Sequence, residues 1–176
     1  MPVRDFDGLT PAIGAGAFVD ETALVIGDVT LGEDSSLWPF AVARGDVNRI
    51  RIGARTNIQD HCVLHVSHDG PHRPGGNDLV IGDAVTVGHM VVLHGCRVED
   101  RCLIGMGSIV MDGVVIGRHT LLGAGTLVPP DQGLEPGYLW LGSPARRVRP
   151  LTEEDIAGIE YSATHYVRLK NRHMKG

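Results

Sequence analysis

VEDRCLIGMGSIVMDGVVIGRHTLLGAGTLV, residues 98–128, places an aliphatic side chain at every sixth position: Val98, Ile104, Val110, Ile116, Leu122 and Val128. A period of six matches neither the helical repeat of about 3.6 nor the strand repeat of about 2, so it reads as a short strand and a tight turn, repeated. Outward from this stretch the series runs Ile13, Val19, Val25, Leu31, Leu37 and Ala43, resumes at Ile52, Ile58 and Leu64, and again at Ile81, Val87 and Leu93. One residue is missing between Leu93 and Val98. Four positions after most of the aliphatic residues stands a small or β-branched one: Ala17, Ala23, Val29, Ser35, Ala41, Thr56, Cys62, Val85, Val91, Cys102, Ser108, Val114, Thr120 and Thr126, with Arg97 the main exception. Gly27, Gly32, Gly53, Gly82, Gly105 and Gly117 suit the turns because glycine tolerates unusual backbone angles.

The repeat resembles that of the hexapeptide-repeat proteins over residues 11–130, in which three hexads make one coil of a triangular prism. The resemblance implies an all-β fold, a left-handed parallel β-helix, with strands stacked about 4.8 Å apart. Two interruptions are expected: a short bulge at residues 49–51 and a Pro/Gly-rich loop ejected near 70–80. The β-helix is expected over 1–150 and a C-terminal α-helix packed on the prism over 151–176. Thr152 with Asp155 supplies an N-cap pattern. Ile156, Ile159, Ala163, Tyr166 and Val167 share a face, and Lys170, Arg172 and Lys175 sit late, where the helix dipole favours cations.

Composition excludes several partners. The 16 basic and 21 acidic residues leave a net charge of -5, so nothing basic invites nucleic acid. No apolar run approaches the roughly 18 to 20 residues that span a bilayer, so no membrane partner is expected. Three cysteines without a CxxC pair, and an N-terminus MPVRDFDGL without an apolar leader core, point to a reducing cytoplasm.

The hexad register turns positions into walls. With the ejected loop skipped, Leu93 lies three hexads after Leu64 on the same wall, so His65 and His94 point outward from equivalent positions on adjacent coils. His89 follows Val87 by two and belongs to the preceding wall. Around a three-fold axis that wall meets the next chain's His65 and His94, a closed heterologous ring with three identical sites. Three neutral imidazoles with one open position suit catalytic zinc. The same counting sets Gln59 one coil below His89 and Arg44 one coil below His65.

Arg44-Gly45-Asp46, Asn57-Ile58-Gln59-Asp60, His65, and Gly88-His89 followed by His94, with GSPARRVRPLT and Tyr166-Val167-Arg168-Leu169, resemble γ-class carbonic anhydrases over nearly the full chain. The resemblance implies a homotrimer and reversible hydration of carbon dioxide to bicarbonate. It implies Zn2+, with Fe2+ or Co2+ as substitutes because imidazole suits each, held by His65, His89 and His94. It also implies Gln59 and Tyr166 at the reacting centre and an Arg44 to Asp46 salt bridge across the trimer interface. The chain departs from the archetype at Val47, where a glutamate is usual, and residues 66–80 hold Asp69 and Asp78 but no glutamate to relay protons. His68 or His72 is the expected replacement, since histidine titrates near neutral pH. Rival readings are a metal-bearing trimer with little hydration activity or a weak thioesterase, and an acyltransferase using coenzyme A. His61, His119, His165 and His173 are expected at the surface, and Cys62 and Cys102 in the core; Cys96 stays open.

Overall fold

The computed structural model describes residues 2–175 and is a parallel β-helix of hexapeptide repeats followed by one helix. Met1 and Gly176, the outer ends of the two expected segments, lie outside the described residues. On the first wall Val25, Ala43, Leu64, Leu93, Val110 and Val128 stack in register. The second carries Ile13, Leu31, Ile52, Ile81, Val98, Ile116 and Leu134. Val19, Leu37, Ile58, Val87, Ile104, Leu122 and Trp140 form the third. The first two walls join in a 12-stranded sheet because the strands Leu24–Leu31 and Val42–Ile52 turn the corner between them, while the third is an 8-stranded sheet.

These rows are the core. Each buried aliphatic side chain contributes about 1.5–3 kcal/mol, and a one-residue slip would turn a whole row outward, so the register is strongly held. Ile13, on the lowest coil of its wall, is 40% exposed, whereas Trp140 closes the far end. The small inward row also ties the coils together, because its hydroxyls and thiols donate to glycine carbonyls in the turns. Ser35 Oγ donates to Gly53 O at 2.6 Å, Thr56 Oγ1 to Gly82 O at 2.7 Å, Cys62 Sγ to Gly88 O at 3.0 Å and Cys102 Sγ to Gly117 O at 3.2 Å. Cys62 and Cys102 are buried as expected, and so is Cys96. The hexad shortened by one residue presents Cys96 inward where Arg97 would otherwise stand.

The turn glycines act differently from expectation. Gly27 does have φ +75°, but the left-handed position of most turns lies three residues after the aliphatic one and is more often another residue than glycine: Asp34, Arg55, Ala84, Arg101 and His119 line one corner with φ between 52° and 56°. Gly32, Gly53, Gly82 and Gly105 are needed because coils approach closely. A Cβ on Gly32 would lie 2.5 Å from the carbonyl carbon of Gly53.

Both interruptions shift. Gly27 pairs with Gly45 and Val29 with Ile50, so the extra residues fall within 46–49 rather than at 49–51. The ejected loop starts earlier than residue 70: Ser67 and Asn77 pair at its neck, and Leu79 and Val80 belong to the strand Leu79–Ile81. The cause is packing, since Leu79 is fully buried.

The helix, α1 (Glu153–His173), starts with Thr152 and Asp155 in a reciprocal capping box. It packs against the strands Ser36–Leu37, Asn57–Ile58 and Thr86–Val87 of the third wall. Lys170 stands in the last turn as expected, but it is fully buried, donating to Asp34 Oδ1 at 2.8 Å and Asn171 Oδ1 at 2.6 Å. Its long stem carries the charge across an apolar contact to a carboxylate on the corner of an early coil. Among the described residues no helix is long and apolar enough to cross a membrane.

Candidate metal centre

The strands Val63–His65 and Val92–His94 pair with His94 beside His65. Both residues follow an inward leucine, so both imidazoles project outward. His65 Nδ1 and His94 Nε2 face each other at 3.0 Å. Each ring's other nitrogen meets a carboxylate: His65 Nε2 lies 3.1 Å from Asp46 Oδ1, and His94 Nδ1 lies 3.0 Å from Asp112 Oδ2. Asp46 is anchored in turn by Arg44 Nη1 at 2.5 Å, so Arg44 and Asp46, two residues apart on one strand, pair within one chain rather than across the expected trimer interface. The bulge at 46–49 interrupts the ladder pairing at Asp46, whose carboxylate reaches the histidine.

Proton counting gives this chain of contacts its meaning. If the outer nitrogens carry the hydrogens donated to Asp46 and Asp112, the inner pair present two lone pairs to one another. Such an arrangement needs a shared proton or a cation. For His65 burial disfavours the charged form; Asp46 opposes this, the charges of Arg44 and His94 add to it, and the net pKa is lowered. Burial pushes Asp46 up, but hydrogen bonds from Arg44 and His65 outweigh it and the carboxyl falls below its ordinary value. Burial likewise opposes ionisation of Asp112, and the bond from Ser67 with the charge of His94 reverses the balance. Neutral rings oriented by ionised carboxylates are the usual support of a metal-binding histidine. Two ligands about 2.0–2.1 Å from a tetrahedral ion stand roughly 3.3 Å apart, so the pair fits after opening by about 0.3 Å from its 3.0 Å separation.

His89 sits elsewhere. Ile58 pairs with Val87, which puts Gln59 beside Gly88 and Asp60, not Gln59, below His89. The expected placement was one residue out. His89 Nδ1 is 2.9 Å from Asp60 Oδ2, a third carboxylate and histidine couple. Tyr166 belongs to this side: its ring meets Trp38 edge-on at 5.5 Å, and its pKa is raised by burial and then by the charge of Asp60. Gln59 is buried, and its Nε2 donates to Asn57 Oδ1 at 3.1 Å. Asn57 Nδ2 in turn donates to Thr86 Oγ1 at 2.9 Å, and Thr86 to Ser162 Oγ of α1 at 3.0 Å. With its amide hydrogens directed at Asn57, Gln59 keeps Oε1 as its free acceptor.

One chain therefore carries two separate clusters, His65 and His94 on the first wall, His89 with Gln59 and Tyr166 on the third. Among the described residues no group of three or more His, Cys, Asp or Glu is gathered closely enough to hold a metal ion. Beside His65 and His94 runs an outward aliphatic row, Leu24, Val42, Val63, Val92, Ile109 and Leu127, in which Val63 and Ile109 are each 43% exposed. Exposed Phe40, Met90 and Met106 extend it at the corner. Sequence reading did not single out Asp112, Asp60 as a histidine partner, Ser67 or this row; the row was available in the residue before each inward aliphatic one. His61, His165 and His173 are exposed as expected. His119 is half-buried, with a buried Nε2 that has no hydrogen-bond partner.

The bacterial transferase hexapeptide (six repeats) family matches residues 95–130. Protein YrdA of Escherichia coli is 49% identical, over 98% of this chain and 94% of its own. A carbonic anhydrase of Geobacillus kaustophilus is 46% identical, over 94% of this chain and 87% of its own. The crystal structure of a Bacillus cereus protein described as a putative acetyltransferase superposes with a TM-score of 0.90 at 40% identity, covering 97% of this chain and 95% of that one. The chain thus belongs to the γ-class carbonic anhydrase family of hexapeptide-repeat proteins.

Proposed function

We propose that the protein catalyses reversible hydration of carbon dioxide to bicarbonate at a zinc site shared between subunits of a homotrimer. His65 and His94 of one chain and His89 of the next would hold the ion, which supplies Lewis-acid activation of water near neutral pH. The observation that carries this reading is the convergence of two ring nitrogens whose opposite edges are tied to Asp46 and Asp112. Those carboxylates keep the outer N–H groups occupied, so the inner nitrogens remain free to ligate. Gln59 offers Oε1 as an acceptor that can orient water or substrate, and Tyr166 walls the same side with a phenol that stays protonated. The aliphatic row favours a trimer, because it gives a second chain an apolar surface that would seat its His89 wall against the His65 pair.

The Bacillus cereus likeness favours a second reading, acyl transfer from coenzyme A with a histidine as base. Val47, 47% exposed beside Asp46, favours a third, a metal-bearing trimer with little hydration activity or a weak thioesterase. Stopped-flow hydration assays on protein loaded with zinc, cobalt or ferrous iron separate these. A rate far above that of His94→Ala, with one metal per chain and no coenzyme A binding, is expected. A rate equal to that of His94→Ala would remove the hydration reading, and tight coenzyme A binding would favour the second.

A further inference from the structure

The loop ejected between the His65 strand and Leu79 is fastened at two points that bear on His94. At its neck Ser67 N donates to Asn77 O at 3.0 Å and Asn77 N to Ser67 O at 3.2 Å. Asn48 Nδ2 donates to Ser67 O at 3.2 Å, tying the neck to the bulge at 46–49. The Ser67 hydroxyl donates to Asp112 Oδ1. The other oxygen, Asp112 Oδ2, is the one that meets His94 Nδ1 at 3.0 Å. Each carboxylate oxygen thus has its own partner, which fixes the rotation of the carboxylate and the direction in which it holds the imidazole. Farther out, Arg73 grips Asp131 through both guanidinium nitrogens, at 2.9 and 3.2 Å. Asp131 sits one coil above Asp112, donating its backbone N–H to Asp112 O at 2.9 Å. The bare turns at Gly95 and Gly113 leave room for this, since a Cβ on either would collide with Asp112 or Asp131.

We propose that the loop is a strap that sets the orientation of His94 through Asp112, with Ser67 as the positioning residue and the Arg73 to Asp131 fork as its outer fastening. Loss of such an outer partner ordinarily lowers metal affinity about 10–100-fold, and the strap makes that support depend on a segment outside the β-helix. Arg73 acts only by keeping the neck in place, so its removal has the smaller effect. The inference rests on the reading of His94 as a metal ligand, and the test separates the two.

In the metal-free protein, Ser67→Ala is expected to speed solvent exchange of the His94 Nδ1 proton, read by 1H–15N spectra of the imidazoles, while Ser67→Thr keeps the wild-type rate. With Co2+ in chelator competition, Ser67→Ala is expected to bind about tenfold more weakly, Arg73→Ala by a smaller factor, and Ser67→Thr like the wild type. Unchanged proton exchange and unchanged Co2+ affinity in Ser67→Ala would overturn the strap. If the wild type takes up no Co2+, the metal reading falls and the exchange rates alone decide the strap.

Discussion

The third wall, which α1 covers, and the first wall, which it leaves bare, invert the usual placement of polar residues. Beneath the helix the outward residues Ser36, Asn57 and Thr86 are polar and buried. On the open wall the outward residues Val63 and Ile109 are aliphatic and exposed. The polar row can be closed by its own chain because every group finds a partner along the column: Trp38 Nε1 donates to Ser36 Oγ at 3.0 Å, Asn57 to Thr86, and Thr86 to Ser162. The aliphatic row has nothing of this chain to pack against. One wall is completed by folding, and the proposed trimer would complete the other. The two histidine clusters follow the same division, Gln59 and Tyr166 being set by the helix-covered side and His65 with His94 standing on the open side.

The largest effect is expected on the bare wall. Val92→Arg sets a charge in the middle of the aliphatic row, and light scattering should find single chains where the wild type gives trimers. Hydration activity should fall to the uncatalysed rate while the circular dichroism of the β-helix survives. A trimer that keeps its activity would show that the row is not the interface.

A middling effect belongs to the covered wall. Asp34→Ala leaves the Lys170 ammonium buried without its carboxylate. Breaking a buried pair costs about 3–5 kcal/mol, and because the Asp34 side chain is 38% exposed the expected loss is nearer ~2–3 kcal/mol. Chemical denaturation measures it directly, and the end of α1 should gain amide exchange ahead of the prism. No change in stability would mean that the helix is held by its apolar face alone.

The smallest effect concerns the start of the helix. Arg149 donates to Asp155 at 2.5 and 3.2 Å, and with the Thr152 bonds it holds the Asp155 carboxyl well below the usual carboxylate range. A depressed carboxyl adds stability that is complete above its unfolded pKa of about 3.9 and fades as pH falls toward the folded value. The gap in melting temperature between wild type and Asp155→Asn should therefore be small, present at about pH 6 and narrowing below about pH 4. A gap that widens in acid would contradict the assignment.

Much of this was legible in the residues. The six-residue period located Leu64 and Leu93 on one wall across the ejected loop, which made the pairing of His65 with His94 a matter of counting. Thr152 and Asp155 announced the start of the helix. What stayed hidden lies in turns and long side chains. Asp112 and Ser67 reach the histidine from a turn and a loop neck, where the hexad register no longer says which way a side chain points. Counting also misplaced Gln59 by one, because His89 lies in the turn beyond its strand and Asp60 sits below it. Lys170 has a long aliphatic stem, and periodicity cannot tell whether such a stem ends in water or crosses a contact to Asp34. The glycines at Gly32 and Gly53 were visible, but only the distance between coils reveals that they serve close stacking.

If the proposed centre is right, the two half-sites of one chain never join each other and meet only across subunits. Mixing denatured His89→Ala and His94→Ala chains in equal amounts, refolding them together and measuring carbon dioxide hydration tests this directly. Each variant alone should be inactive, and random mixed trimers should recover about one quarter of the wild-type activity, because an intact interface needs one chain of each kind in the right order. No recovery, with mixed trimers demonstrated by mass, would contradict the account.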